Sequence, residues 1–178
     1  MIKKILIAVL SVLVAQAASA EGAPYLGAAV GIATNTSDAP NLNYRGMPLT
    51  LSAGYGGLLS QNLYLGGEVF GRLGTANLDN NGLKSSYGYG ISVLPGLMLG
   101  ERAMTFLRVG WVRSHFTPEG TTSNRDVDGA QLGVGMQLGL TQNVDLRGEY
   151  TFSDYQSFGS IRNPKQDQYN LGLIFKLD

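Results

Sequence analysis

Ala130-Gln131-Leu132-Gly133-Val134-Gly135-Met136-Gln137-Leu138-Gly139-Leu140 alternates without a break. Apolar side chains fill the even positions, and glycine or glutamine fills the odd ones. A period of two is the pattern of a β-strand, whose successive side chains leave on opposite faces. Three glycines in so short a stretch disfavour a helix. In a strand they mark close approach or a narrow interior.

The alternation recurs along the chain in segments of about ten residues. The predicted strands are 24–33, 47–56, 62–74, 86–99, 104–116, 127–140, 144–155 and 167–177. Leu26, Ala28, Val30 and Ile32 share a face in the first strand. Tyr169, Leu171, Leu173, Phe175 and Leu177 share one in the last. The opposite faces carry Glu68 and Arg72 in the third strand, Arg108 in the fifth, and Arg147 and Glu149 in the seventh.

The connections alternate in length. Residues 57–61, 100–103 and 141–143 are short turns. Residues 34–46, 75–85, 117–126 and 156–166 are longer and hold most of the Asn, Asp, Pro and Ser. This predicts an all-β chain folded as an eight-stranded antiparallel up-and-down transmembrane β-barrel. With both termini in the periplasm, the four longer loops face outside.

The first twenty residues stand apart. Lys3 and Lys4 precede an apolar run from Ile5 to Val14, and Ala18-Ser19-Ala20 has the small-residue pattern of a cleavage site. The run is about ten residues, half of what a spanning helix needs. Residues 1–20 therefore read as a cleaved signal peptide and 21–178 as one barrel domain. The whole chain has 13 basic and 13 acidic residues; without Lys3 and Lys4 the balance is 11 to 13, a net of −2. That gives no field for nucleic acid. Cysteine is absent, which removes thiol catalysis, a disulfide framework and a lipoprotein anchor. Glycine, at 25 of 178 residues, is about twice its usual share.

Alternation alone does not say which face meets what. A soluble barrel of the lipocalin kind buries its apolar face; a membrane barrel turns it to lipid. Here the glycines share a face with charges of both signs, which suits a narrow interior filled by side chains. Leu, Val and Ile fill the other face, with Tyr55, Tyr87, Tyr89, Tyr150, Tyr169 and Phe175 towards the strand ends. That arrangement matches an outward apolar band between aromatic girdles. A sheet in lipid must also close on itself, because no free edge can be hydrated there.

The ending Asn170-Leu171-Gly172-Leu173-Ile174-Phe175-Lys176-Leu177 resembles the C-terminal sorting signal of outer-membrane barrels, with Asp178 standing after it. Leu146-Arg147-Gly148-Glu149-Tyr150-Thr151-Phe152-Ser153-Asp154-Tyr155 resembles the penultimate strand of the outer-membrane protein A and opacity-protein barrel superfamily, and Tyr25-Leu26-Gly27 is similar to its first strand. The resemblance implies a bacterial outer-membrane location. It also implies that Asn170, Gly172, Phe175 and Leu177 are read by the barrel-assembly machinery.

Glu68, Arg72, Arg108, Arg147 and Glu149 are the sharpest candidate constellation. They read either as an interior salt-bridge network that blocks the lumen or as a gated ion path. His115 is the single histidine and adjoins Ser114. Neighbouring strand residues point to opposite faces, so the two are poorly placed for nucleophilic catalysis. Arg113 shares the parity of Trp111 near the outer rim, where a guanidinium could bind lipopolysaccharide phosphate. Gly88-Tyr89-Gly90 and Gly133-Val134-Gly135 open no helix, so the dinucleotide reading fails. Asn35-Thr36-Ser37 is a formal glycosylation sequon, and Asp79-Asn80-Asn81 a weak cation candidate. Three function classes result. The first is a surface-interaction barrel without enzymatic activity or cofactor, monomeric, contacting outer-membrane lipid, lipopolysaccharide or a host ligand through its loops. The second is a small porin-like channel. The third is a lipid-A hydrolase.

Overall fold

A computed structural model describes residues 22–36, 44–77, 83–118, 125–157 and 164–177. The expected signal segment lies outside them, as do Ser37 and Asp79 to Asn81. Eight strands follow in chain order: β1 Gly22–Thr36, β2 Tyr44–Leu58, β3 Leu63–Asn77, β4 Leu83–Met98, β5 Ala103–Pro118, β6 Arg125–Gly139, β7 Val144–Tyr155 and β8 Lys165–Lys176. Each pairs antiparallel with its sequence neighbour, and β8 returns to β1 through pairs such as Leu26 with Phe175 and Ile32 with Tyr169. The barrel is closed, so every strand has a hydrogen-bonding partner on both sides.

Three tight turns close one end. In each, a leucine amide donates to the carbonyl four residues on: Leu59 to Leu63 at 2.7 Å, Leu99 to Ala103 at 2.8 Å and Leu140 to Val144 at 2.9 Å. The segments Leu59-Ser60-Gln61-Asn62 and Leu140-Thr141-Gln142-Asn143 are near repeats, and the Thr141 hydroxyl also accepts from the Val144 amide at 3.0 Å. The middle turn uses Gly100 at φ 131°, a conformation that costs glycine little. The Leu177 amide donates to Pro24 O and the Lys176 amide to Asn143 O, both at 2.8 Å, which places the start of β1 and the end of β8 beside these turns.

At the other end the strands run further than expected. Residues 34–36, 44–46, 75–77, 83–85, 117–118, 125–126 and 165–166, all expected as loop, lie in strands. Polar composition had marked them as loop, yet a strand projecting beyond lipid keeps its ladder with polar side chains on both faces. Register shifts between Met47 and Pro48, where Pro48 has no amide to give, and between Ser85 and Tyr87 sit in this projecting part.

The outward face is apolar: Leu107, Val134, Met136 and Leu171 are each about half exposed, as are Tyr55, Tyr87, Tyr89, Tyr169 and Phe175. In water so continuous an apolar surface would be a liability; against hydrocarbon it is the required one. The lumen holds more than glycine and polar groups. Phe70, Val112, Phe116, Val127 and Tyr155 cluster in its outer half, and Leu94, Met104 and Phe106 in its turn-side half with Tyr64 and Met98 against them. These rings explain the glycines. A Cβ at Gly90 would lie 2.6 Å from Phe70, and one at Gly135 would run into the Phe106 ring. A glycine on one strand leaves the space that a ring from the next strand fills.

Candidate functional site

Between the two aromatic clusters lies a layer of charge. Glu68 on β3, Arg108 on β5, and Arg147 and Glu149 on β7 all point inward, as strand parity requires. Arg108 Nη2 donates to Glu68 Oε1 at 2.7 Å and to Glu149 Oε2 at 2.9 Å, and its Nη1 reaches the Ser92 hydroxyl at 3.2 Å. Arg147 Nη1 donates to Glu68 Oε2 at 2.6 Å, and the Tyr25 hydroxyl donates to the same oxygen at 3.0 Å. Glu68 thus bridges both arginines while only 4% exposed. Arg147 Nη2 is buried without an acceptor, but its guanidinium lies 5.3 Å from the Tyr25 ring centre and 5.1 Å from that of Phe106. The ring faces attract the cation there.

The layer continues in both directions. Towards the turns, Arg147 Nε donates to Gln137 Oε1 at 2.9 Å, Gln137 Nε2 donates to Asp145 Oδ2 at 2.6 Å, and Lys176 Nζ pairs with Asp145 Oδ1 at 3.1 Å. Towards the loops, Asn170 Nδ2 donates to Glu149 Oε1 at 3.3 Å, and Gln168 Nε2 donates to Asn170 Oδ1 at 2.6 Å. Arg72 Nη1 then donates to Gln168 Oε1 at 2.7 Å and also to Gln166 Oε1, and Gln166 Nε2 donates to Asn35 Oδ1 at 2.8 Å. An unbroken chain of hydrogen bonds and ion pairs runs from Lys176 to Asn35, nearly the length of the barrel.

Four of the five expected cluster residues therefore meet. Arg72 is the exception: it lines the lumen but pairs with no carboxylate among the described residues, being held by Gln166, Gln168 and the Tyr155 hydroxyl. Sequence parity placed it on the correct face, and height along the barrel separated it from Glu68. The interior is also not filled throughout. At the turn end a vestibule of about 710 Å³ opens between Tyr64, Met104, Gln137, Asp145 and Lys176.

The outer rim holds the remaining candidates. Ser114 is buried in the lumen, 2.9 Å from the Tyr155 hydroxyl, whereas His115 lies on the outer face, stacked on Tyr87 with its Nδ1 2.7 Å from Asp126 Oδ1. The barrel wall separates the two, so they form no nucleophile–base pair. Arg113 faces outward, with Nε and Nη2 bound to the two oxygens of Asp128 at 2.7 and 2.8 Å and its guanidinium over the Trp111 ring. In β8, Asn170 and Gly172 face the lumen, while Phe175, and Leu177 just beyond the strand, are exposed. Among the described residues no cluster of His, Cys, Asp and Glu is suited to a metal ion.

The chain matches the outer membrane protein beta-barrel domain over residues 5–176. It belongs to that family. The protein is accordingly a bacterial outer-membrane barrel, a class whose short turns lie at the periplasmic end. Among solved structures it is similar to Neisserial surface protein A, with a TM-score of 0.65 and 19% identity over 86% of this chain and 97% of that one. It is also similar to Ail, the attachment invasion locus protein of Yersinia pestis, with a TM-score of 0.57 and 14% identity over 88% and 99%. At such identities the likeness is one of fold. No curated protein sequence matches the chain.

Proposed function

We propose that this family member is a surface-interaction barrel: a closed scaffold that carries four outer loops to the cell exterior. The observation that carries the reading is the unbroken polar chain from Lys176 to Asn35, flanked by the Phe70 and Phe106 clusters. A lumen cross-linked between β3, β5, β7 and β8 is poorly suited to passing solute and well suited to holding the strand ends still. The partner would be a host surface ligand or lipopolysaccharide met at the loops, with no reaction catalysed. The likeness to an attachment invasion locus protein, one of whose structures is in complex with the heparin analogue sucrose octasulfate, is in keeping with this. Lipopolysaccharide would meet Arg113 on the outer face, where its phosphate would compete with Asp128 for the guanidinium. The ending from Asn170 to Leu177 would serve recognition by the assembly machinery, and the barrel would act as a monomer.

Two measurements test the proposal. In planar bilayers the purified barrel is expected to give no large, steady conductance; a stable open level would overturn the blocked lumen and favour the porin-like class. Deleting 37–43, 78–82, 119–124 and 158–163, singly and together, is expected to leave folding intact and reduce attachment of expressing cells to host epithelial cells. Attachment unchanged in the combined deletion would overturn the interaction role.

A further inference from the structure

The vestibule at the short-turn end has the dimensions of a ligand pocket. Its volume of about 710 Å³ lies in the range of sites that hold a small organic molecule. Tyr64, Met98, Met104, Ala23 and Leu58 give it apolar lining. Gln137, Asp145 and Lys176 add polar groups, and Thr141 and Gln142 stand on an exposed turn at its mouth. Deeper in the lumen, Leu94 and Phe106 pack with Met104, and Gln137 joins Asp145 to Arg147. The vestibule is therefore blind: it opens towards the turns and ends at the charge layer.

Asp145 is the buried charge in its wall, 5% exposed. Its Oδ2 accepts from Gln137 Nε2 at 2.6 Å. Its Oδ1 receives no hydrogen bond among the described residues: the Lys176 ammonium stands 3.1 Å away but is not aligned to donate. The pair shows what this oxygen attracts, which is an alkylammonium. Lys176 covers it from the end of β8 while about a third exposed. A long flexible side chain of that kind withdraws its head to water at little cost. The carboxylate, buried and held by Gln137, cannot follow, and a buried charge left alone is expensive. Gly139 keeps the approach to it open, since a Cβ there would stand 3.5 Å from Oδ1.

We infer that the vestibule binds a short apolar peptide by its free N-terminal ammonium, which takes the place of Lys176 on Asp145 Oδ1. An ammonium has three hydrogens to aim, so it can align on an oxygen that Lys176 only approaches. The peptide's side chains lie on Tyr64, Met98 and Met104, and methionine adapts to differently shaped partners. Its amide groups meet Gln137, Gln142 and Thr141. Lys176 carries its charge out to water, where it is screened, as are those of Glu101 and Arg102 on the exposed turn. The peptide enters from the end that this class of barrel turns to the periplasm. The site lies opposite the outer loops, so its failure would leave the surface-interaction reading standing.

The test is NMR of the refolded barrel in detergent micelles, with carbon-13 in the methionine methyl groups and unboiled gel mobility as the folding check. Met98 and Met104 report on the vestibule, and Met136 on the lipid face reports partitioning into detergent. The probe is leucyl-alanyl-leucine amide, compared with its N-acetylated form. The free amine should shift the Met98 and Met104 signals to saturation, and the acetylated form should not. Asp145→Asn should weaken binding at least about tenfold, the value of one charge-assisted hydrogen bond. Lys176→Gln, which removes the competing ammonium, should tighten it. No shift at Met98 and Met104, equal shifts with the acetylated peptide, undiminished binding in D145N, or weaker binding in K176Q would overturn the inference. Should D145N fail to fold, Gly139→Val decides the matter, because it covers Oδ1 without removing its charge. The shifts should vanish in that variant, and full shifts there refute the site.

Discussion

Replacing Glu68 by glutamine should reveal what the lumen's charge layer does for stability. Glu68 is 4% exposed and receives three hydrogen bonds, from Arg108 at 2.7 Å, Arg147 at 2.6 Å and Tyr25 at 3.0 Å. The layer is balanced, two carboxylates against two guanidinium groups. Glutamine keeps the shape but removes one negative charge and turns an NH₂ group toward a donor. Both arginines remain buried, with only Glu149 between them. Breaking a buried pair in this way costs about 3–5 kcal/mol, chiefly the desolvation of the charge left behind. That is about two to four powers of ten in the unfolding constant. Unfolding from lipid vesicles in urea, read by Trp111 fluorescence and by the gel shift, measures it. The companion is E68Q/R147M, which restores the balance and puts an apolar chain beside Tyr25 and Phe106. It should be less destabilised than the sum of the single variants, by about 1–3 kcal/mol. A cost below about 1 kcal/mol for E68Q, or strict additivity in the double variant, would refute the view that Glu68 neutralises both arginines.

Gly135→Ala should cost about 1–3 kcal/mol, because its Cβ meets the Phe106 ring and the Gly148 carbonyl. Gly67→Ala, whose Cβ meets nothing within 4 Å on the lipid side, should be neutral in the same urea titration; equal effects would contradict the ring-into-glycine packing. Val134→Arg, on the lipid face of β6, should cost about 2–4 kcal/mol in vesicles if the residue lies near the bilayer midplane, and clearly less in micelles. A variant as stable as wild type in vesicles would place that face away from hydrocarbon.

The periodicity of two carried most of the fold, since parity along a strand is a local property. It assigned Glu68, Arg108, Arg147, Glu149, Asn170 and Gly172 to one side of the wall and Trp111, Arg113, Phe175 and Leu177 to the other. Ser114 and His115 were likewise separated by adjacency alone. Inward parity also marked Phe70, Phe106, Phe116 and Tyr155, although the polar neighbours on their faces concealed it. The Leu-Ser/Thr-Gln-Asn repeat at 59–62 and 140–143 was a turn signal available in the sequence. The outer strand ends were misjudged because polar composition looks the same in a loop and in a ladder standing in water.

Strand number, facing and closure thus belonged to the sequence by itself, because each strand's pattern and each turn's length could be read without reference to distant residues. Pairing within the lumen did not. Arg147 reaches Glu68 across 79 residues and Arg108 reaches it across 40, and which carboxylate meets which arginine depends on the stagger with which tilted strands close. That stagger set Glu68 level with Arg108 and Arg147. It left Arg72 above them among neutral amides, and it brought the rings of Phe70, Phe106 and Tyr155 opposite glycines. Only the closed barrel fixes heights around its circumference, so only the tertiary structure could divide five inward charges and polar groups into a neutral layer and a cation apart.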